Sequence, residues 1–431
     1  MITKNIPPEL FRWPIITEED ETAILDVVRR AAMSGTDITE KFEREFAEWN
    51  GNKYAIGYCN GTLSLQAAMF ACKLGMGDEL ICPSKTYWAS AIQAFNLGAT
   101  IVFADIDPDT LCIDPNDLER CISPYTKAIM VVHYLSHPAE MDAIMAIARK
   151  HNLKVIEDVS HAQGGYYKGR RLGTIGDVGA MSLMSGKSFA TGEMGMLVTD
   201  DREIYDRAMA YSHYERNNAN YIETEDLKKY YGMPLGGMKG RVNQTCSAMG
   251  RVQLKYYDER CFEIRKAMNY FWDLLDGVSG IRPHRVDESI GSTMGGWYCA
   301  HGIYKSAELH GLPVSKFCEA LRAEGISTYP GANYPLHMHE IFKSFNLMNT
   351  EKPTRIAFAH RDVRELDKDL IVCNNVEVFA IPWFKKYYPE YIEMYANTIK
   401  KVIANHETLL DDKPADGEIS GRWFFYSDKE D

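Results

Sequence analysis

The chain has 431 residues, enough for two or three folding units with a sizeable shared core, so a small disulfide-stapled scaffold is excluded. Asp and Glu number 60 against 48 Lys and Arg, and the net charge of −12 is opposite in sign to what a nucleic-acid partner requires. Charged residues at 25% and hydrophobic residues at 45% describe an ordinary globular protein, and no apolar run approaches the roughly 18 residues of a membrane span.

Met1 to Pro14 lacks the basic flank and apolar stretch of a secretory signal, because Pro7, Pro8, Glu9 and Arg12 interrupt it. The ten cysteines are scattered without a CxxC pair, which suits a reducing compartment and argues against a structural zinc framework or any other metal site. The expected location is the cytoplasm, with no membrane partner.

From about residue 40 to 215, short Val- and Ile-rich runs alternate with stretches of helical periodicity, the pattern of βαβ units. The spacing predicts strands at Tyr54–Tyr58, Glu79–Pro83, Thr100–Ala104, Lys127–His133, Leu153–Asp158, Gly179–Met184 and Met196–Thr199. Several are apolar enough to be covered on both faces, so an α/β fold with a central, mostly parallel sheet is expected. Helices are predicted at Thr62–Gly75, Tyr87–Gly98 and Ala139–His151, the first two ending at a glycine. The polar segment Asn217–Arg241, with five Gly or Pro residues, reads as an excursion from the domain surface. A long helix follows over Gln244–Leu275, then a strand at Trp297–Tyr304 and helices near Val314–Ala323 and Tyr391–His406. The expected organisation is a large α/β domain over 1–275, a smaller α+β domain over 276–410, and an acidic tail over 411–431.

Three clusters carry chemistry. Asn60-Gly61-Thr62 follows a strand and opens a helix, so its backbone amides could receive an anion; the same tripeptide is also a common turn and N-cap. Asp158 ends the late hydrophobic strand in Glu157-Asp158-Val159-Ser160-His161-Ala162, where the crevice of an open α/β sheet opens. There it could pair with a protonated heterocyclic nitrogen, with His161 a turn away, or it could cap a following helix while His161 packs. Lys187 lies in the stretch Met181–Gly195, between a strand and a turn containing Gly186, Gly192 and Gly195. A lone lysine is ordinarily a solvated surface group, but desolvation in this low-charge stretch would lower its pKa and make its amine a nucleophile for a carbonyl.

These elements in this order resemble the sugar aminotransferases of the DegT family, a branch of the fold-type I pyridoxal-phosphate transferases. The resemblance runs from about Leu10 to Ile403 and includes Asp78–Ser84, Ala104–Pro108, Pro138–Asp142, Leu172–Asp177 and Tyr334–His337. It implies pyridoxal 5'-phosphate as cofactor, with Lys187 holding its aldehyde and Asp158 pairing with the pyridine nitrogen. It further implies that Gly61, Thr62 and Ser182 bind the phosphate, that Tyr87 stacks on the ring, and that His161 approaches the ring hydroxyl. A homodimer with shared active sites is implied as well. The family motif G-x-N-x-R, which sends an Asn to the partner's phosphate, is here Gly237-Met238-Lys239-Gly240-Arg241, so Lys239 and Arg241 stand in those places. The usual GEGG is Gly192-Glu193-Met194-Gly195.

The implied reaction moves an amino group from glutamate or glutamine to a keto sugar or cyclitol, both small-molecule partners. A sugar dehydratase of the same fold resembles this family but carries His at the lysine position, and a non-catalytic scaffold would have no need of Lys187 and Asp158. The segments Ser185–Lys187, Met33–Asp37 and Phe317–Leu321 look more like inosose aminotransferases than nucleotide-sugar ones, with Tyr334 and His337 expected to contact substrate hydroxyls. Arg355, His360, Arg361 and Arg364 are the cations that a nucleotide diphosphate would use, or else a solvated surface.

Overall fold

The computed structural model describes residues 2, 6–344, 361–410 and 421–423. Two helices come first, α1 (Glu18–Arg29) and α2 (Asp37–Asn50), the former opened by a capping box in which Thr17 and Asp20 bond reciprocally. Then follow β1 (Tyr54–Tyr58), α3 (Gly61–Ala71), β2 (Glu79–Pro83), α4 (Gln93–Asn96), β3 (Thr100–Ala104), α5 (Pro115–Arg120), β4 (Thr126–Val132), α6 (Met141–His151) and β5 (Lys154–Asp158). A small hairpin of β6 (Tyr166–Tyr167) and β7 (Arg170–Arg171) precedes β8 (Val178–Ser182), β9 (Gly195–Thr199), α7 (Arg202–Ser212) and the 31-residue α8 (Gln244–Leu274).

Among the described residues, seven strands form the main sheet in the order β1-β9-β8-β5-β4-β2-β3. Only β9 runs antiparallel to its neighbours. The carboxyl ends of β1, β2, β5 and β8 therefore share one edge, the place where an open α/β sheet takes its ligand. α3 lies between the sheet and α7, and its residues are buried nearly all round rather than on one stripe.

The second unit carries β10 (Ile281–Pro283), β11 (His301–Tyr304), α9 (Val314–Ala323), β12 (Ala332–Asn333) and β13 (Val378–Ala380), with β10-β11-β13 as an antiparallel sheet. A last helix runs over Pro389–Ala404. The two cores do not meet at residue 275. Ile264 to Trp272 of α8 belong to the second core together with Leu10 of the N-terminal arm, because one continuous helix serves both units. The tail is not wholly detached either, since Gly421–Arg422 pairs with β12 and Trp423 packs on Tyr334 and His339.

Three sequence expectations change. Tyr87–Gly98 is not one helix but a 3-10 turn at Trp88–Ser90 followed by the four-residue α4, because Tyr87 is extended and Ala91, at φ −121°, leaves helical geometry between the two. The strand expected at Trp297 begins only at His301, since Trp297 and Cys299 both hold positive φ, at 55° and 53°, which an extended strand cannot accommodate. The 217–241 excursion folds back on the body. Leu235, Gly236 and Gly240 donate their N–H groups to Ala210, Tyr211 and Ser212, and the Gly240 carbonyl accepts from the Cys59 N–H.

Candidate functional site

A cavity of about 500 Å³ opens at that sheet edge. Its floor is built by strand ends that the sequence itself punctuates. β1 gives way to Asn60, whose side-chain oxygen accepts the Leu63 N–H at 2.8 Å and so caps α3. Gly61 and Thr62 border the cavity and their N–H groups have no partner among the described residues, which leaves the positive end of α3 facing it. A Cβ on Gly61 would stand 2.6 Å from Ser182 Cα, and one on Gly195 would stand 2.3 Å from the Asn60 carbonyl. Only glycine lets α3, β8 and β9 converge this closely.

Asp158 ends β5 and is 4% exposed. Its Oδ2 accepts from Ser90 Oγ at 2.8 Å and its Oδ1 from the Ser160 N–H at 3.0 Å. The chain then turns rather than entering a helix, so Asp158 caps a turn and its carboxylate faces the cavity. His161 is buried, and its Nδ1 accepts from the Leu135 N–H at 3.3 Å. Burial, reinforced by the Lys187 ammonium and by His301, pushes its pKa well below the usual histidine range, so the ring is neutral.

Lys187 sits on the loop between β8 and β9, held by backbone bonds from Leu183 to Met194, Ser185 to Gly192 and Lys187 to Met184. Ser188 and Phe189 fasten the loop's far side. The Ser188 hydroxyl bonds Gln163 and Tyr257 at 2.8 Å each, and the Phe189 ring is fully buried against Phe42, Phe46 and Tyr257. The amine that results is 4.1 Å from the Tyr298 ring centroid, and burial lowers its pKa to about 8. Met194 in place of the usual glycine is tolerated because it points into the core, while the positive φ of 106° falls on Gly192.

Gly61, Thr62, Tyr87, Asp158, His161, Ser182 and Lys187 all border this one cavity. Lys239, Arg241, Tyr334 and His337 do not. Lys239 is exposed and Arg241 half-buried, both at the returning end of the excursion. His337 is sealed off: its Nδ1 lies 2.6 Å from Ser84 Oγ, and burial pushes its pKa down to about 4. The Tyr334 ring packs against Trp423 at a tilt, with centroids 5.1 Å apart. Of the cations considered for a diphosphate, Arg361 is locked to both Asp117 oxygens at 2.9 Å and Arg364 forks onto Asp362; Arg355 and His360 lie outside the described residues.

Sequence reasoning missed Ser90, Ser160, Glu193, Tyr298, Cys299 and Tyr329, which also border the cavity. Ser160 stood two residues from Asp158 and could have been read as its turn partner. Tyr298 and Tyr329 come from the second unit and carry no local motif. Trp13 was missed as well; its indole N–H donates to the Lys187 carbonyl at 2.9 Å.

The family model of the DegT/DnrJ/EryC1/StrS aminotransferase family matches residues 14–362. The L-glutamine:2-deoxy-scyllo-inosose aminotransferase of Streptoalloteichus tenebrarius is 31% identical over 357 residues, 79% of this chain and 82% of that protein. The GDP-perosamine synthase of Escherichia coli O157:H7 is 38% identical over a shorter 220 residues, 51% of this chain and 58% of its own. The solved aminotransferase of Psychrobacter cryohalolentis, 27% identical, superposes with a TM-score of 0.77 over 92% of this chain and all of its own.

The buried amine has a measurable signature in the cofactor-free protein. Its folded pKa, about 8, lies below the ordinary 10.5, so stability falls as pH drops from 10.5 to 8 and the loss is complete below 8. The Lys187→Met apoprotein is therefore expected to be more stable than its parent at pH 6 by roughly 3 kcal/mol. The gain should fade toward pH 10.5. Urea midpoints that coincide at pH 6 would contradict an amine held out of water.

Proposed function

The chain belongs to the DegT/DnrJ/EryC1/StrS aminotransferase family, and we propose that it transfers an amino group from glutamine or glutamate to the ketone of a cyclitol or free sugar. The enzyme is a pyridoxal 5'-phosphate-dependent transaminase. The observation that supports the reading most is the meeting of one buried amine, one buried carboxylate and one helix N-terminus in a single cavity. The cavity's fittings suit the cofactor. Unpartnered N–H groups of Gly61 and Thr62, with the Ser182 hydroxyl, match a phosphate; the Asp158 carboxylate matches a pyridinium; the Tyr87 ring offers a flat face.

When bound, the cofactor supplies an electron sink for the carbanion formed at the donor carbon. Gly61, Thr62 and Ser182 would hold its phosphate, and Tyr87 would offer its ring a flat face. Asp158, itself fixed by Ser90 and Ser160, holds a proton on the ring nitrogen. Neutral His161 borders the cavity and would add no charge that competes with that proton. Lys187 Nζ would be the residue that holds the cofactor aldehyde, and as a free amine with a pKa near 8 it would serve as the general base for the proton on the donor Cα. The same amine serves the acceptor half in reverse.

A polyhydroxy ketone without charge fits better than a nucleotide-linked one. Among the described residues, no arginine borders the cavity, and Arg361 and Arg364 are already committed to Asp117 and Asp362. Tyr298, Tyr329 and Thr86 offer hydroxyls to the ring instead. Lys239 and Arg241 are read as reaching the phosphate of a second subunit, in a homodimer of cytoplasmic location. The support is that Lys239 is exposed at the returning end of the excursion and that neither residue borders the cavity of its own chain. Light scattering should give a mass twice the 49.0 kDa of one chain; an active monomer would remove the shared-site reading.

The substrate test is the reverse half-reaction followed by cofactor absorbance. Amino-cyclitols should convert the cofactor in single turnover, and nucleotide-linked amino sugars should do so at least tenfold more slowly. Conversion by the nucleotide-linked set alone would overturn the cyclitol reading.

A further inference from the structure

A second cavity, of about 660 Å³, adjoins the first and shares Tyr298, Cys299 and Tyr329 with it. Lys385 borders this space. It is 4% exposed, and among the described residues no carboxylate lies within ion-pair distance of it. Its Nζ donates to the Trp383 carbonyl at 3.2 Å and stands over the Trp383 ring, with the Trp13 ring centroid 5.5 Å away. Those aromatic rings tie it to the catalytic side. Trp13 donates to the Lys187 carbonyl, the Trp383 ring meets the Tyr298 ring edge-on with centroids 5.9 Å apart, and Tyr298 lies under the Lys187 amine.

A buried ammonium without a counter-charge is costly, and burial pushes the Lys385 pKa well below the lysine range. The cost is offset when an anion binds. The reaction brings one obligatory anion: every amino-acid donor, and the 2-oxo acid it leaves, carries a carboxylate, whereas the proposed acceptor is neutral. That carboxylate must leave water beside Lys187 and needs a cation. Among the described residues, the side chains bordering the two cavities include only two cationic ones, Lys187, which is committed to the cofactor, and Lys385.

We infer that Lys385 is the carboxylate-binding residue for the amino donor, reading donor identity from the small-domain side while Lys187 acts on the donor Cα. The inference rests on the transaminase reading above and assigns one half-reaction to this lysine. It accounts for the aromatic cage as well: Trp13, Trp383 and Tyr298 exclude water, so that the ion pair formed with the donor is strong.

The test uses the holoenzyme and Lys385→Met, which keeps length and removes charge. Glutarate, an unreactive dicarboxylate, serves as binding probe, read by tryptophan fluorescence because Trp383 and Trp13 flank the ammonium. Glutarate Kd and the KM for L-glutamine and L-glutamate are expected to rise about 10- to 100-fold, the scale of a lost charged hydrogen bond. The reverse half-reaction with amino-cyclitol should keep its rate within twofold. Unchanged donor KM and glutarate Kd would overturn the inference while leaving the transaminase reading intact. Loss of the amino-cyclitol half-reaction in the parent enzyme would instead strike that reading. Lys385→Arg, which keeps the charge with altered reach, provides the second variant: it should recover part of the glutarate affinity, and a variant no better than Met would count against a carboxylate partner. If the Met variant does not fold, the Arg variant must show raised donor KM with normal amino-cyclitol turnover, and a normal donor KM again overturns the inference.

Discussion

A primary amine kept out of water is the constraint on which the remainder of the site depends. An exposed lysine is protonated at neutral pH and is a poor nucleophile; burial shifts Lys187 to about 8, where a useful fraction is neutral. Holding it there takes structure on both sides. Phe189 and Ser188 fix the following residues in the aromatic core under α2, while Trp13 of the N-terminal arm fastens the Lys187 carbonyl from the small-domain side. The loop cannot move without disturbing both.

The same geometry explains the glycines. α3 must bring its N-terminus to the sheet edge, where its free amides meet the ends of β8 and β9, and the approach of Gly61 and Gly195 leaves no room for a Cβ. Beneath the edge, Glu157 accepts N–H groups from Gly173, Ile175 and Gly176 and bonds His133 at 3.0 Å. That network is buried and points away from the cavity, so adjacent carboxylates, Glu157 and Asp158, serve opposite faces of one strand. One ties the sheet together and the other is presented to the site.

The parallel sheet was legible because its strands are buried on both faces and read as continuous apolar runs; Glu79–Pro83 and Thr100–Ala104 fall on the expected residues. Asn60-Gly61-Thr62, Asp158, His161 and Lys187 stood out in the sequence because each lies at a strand end or in the loop just beyond one. The remainder was set by distance in space. Tyr298 and Tyr329 arrive from the second unit across more than a hundred residues, and Tyr298 is flanked by positive φ at Trp297 and Cys299, for which neither residue type gives a signal. His337 sits in the Tyr334–His337 segment that the resemblance drew on, yet the Ser84 hydroxyl bonds it and it does not border the cavity. Lys385 looked like any surface lysine in Lys385-Lys386; only the packing of Trp13 and Trp383 separates it from its exposed neighbour.

The most direct test of the account is which lysine carries the cofactor. Among the described residues three lysines are buried, Lys85, Lys187 and Lys385, and each has its pKa lowered by desolvation. Only Lys187 borders the cavity that also holds Asp158 and the α3 N-terminus. Borohydride reduction of the holoenzyme followed by tryptic mass mapping should place the pyridoxyl label on the peptide containing Lys187 and nowhere else. A label on Lys85 or Lys385, or none at all, would contradict the account.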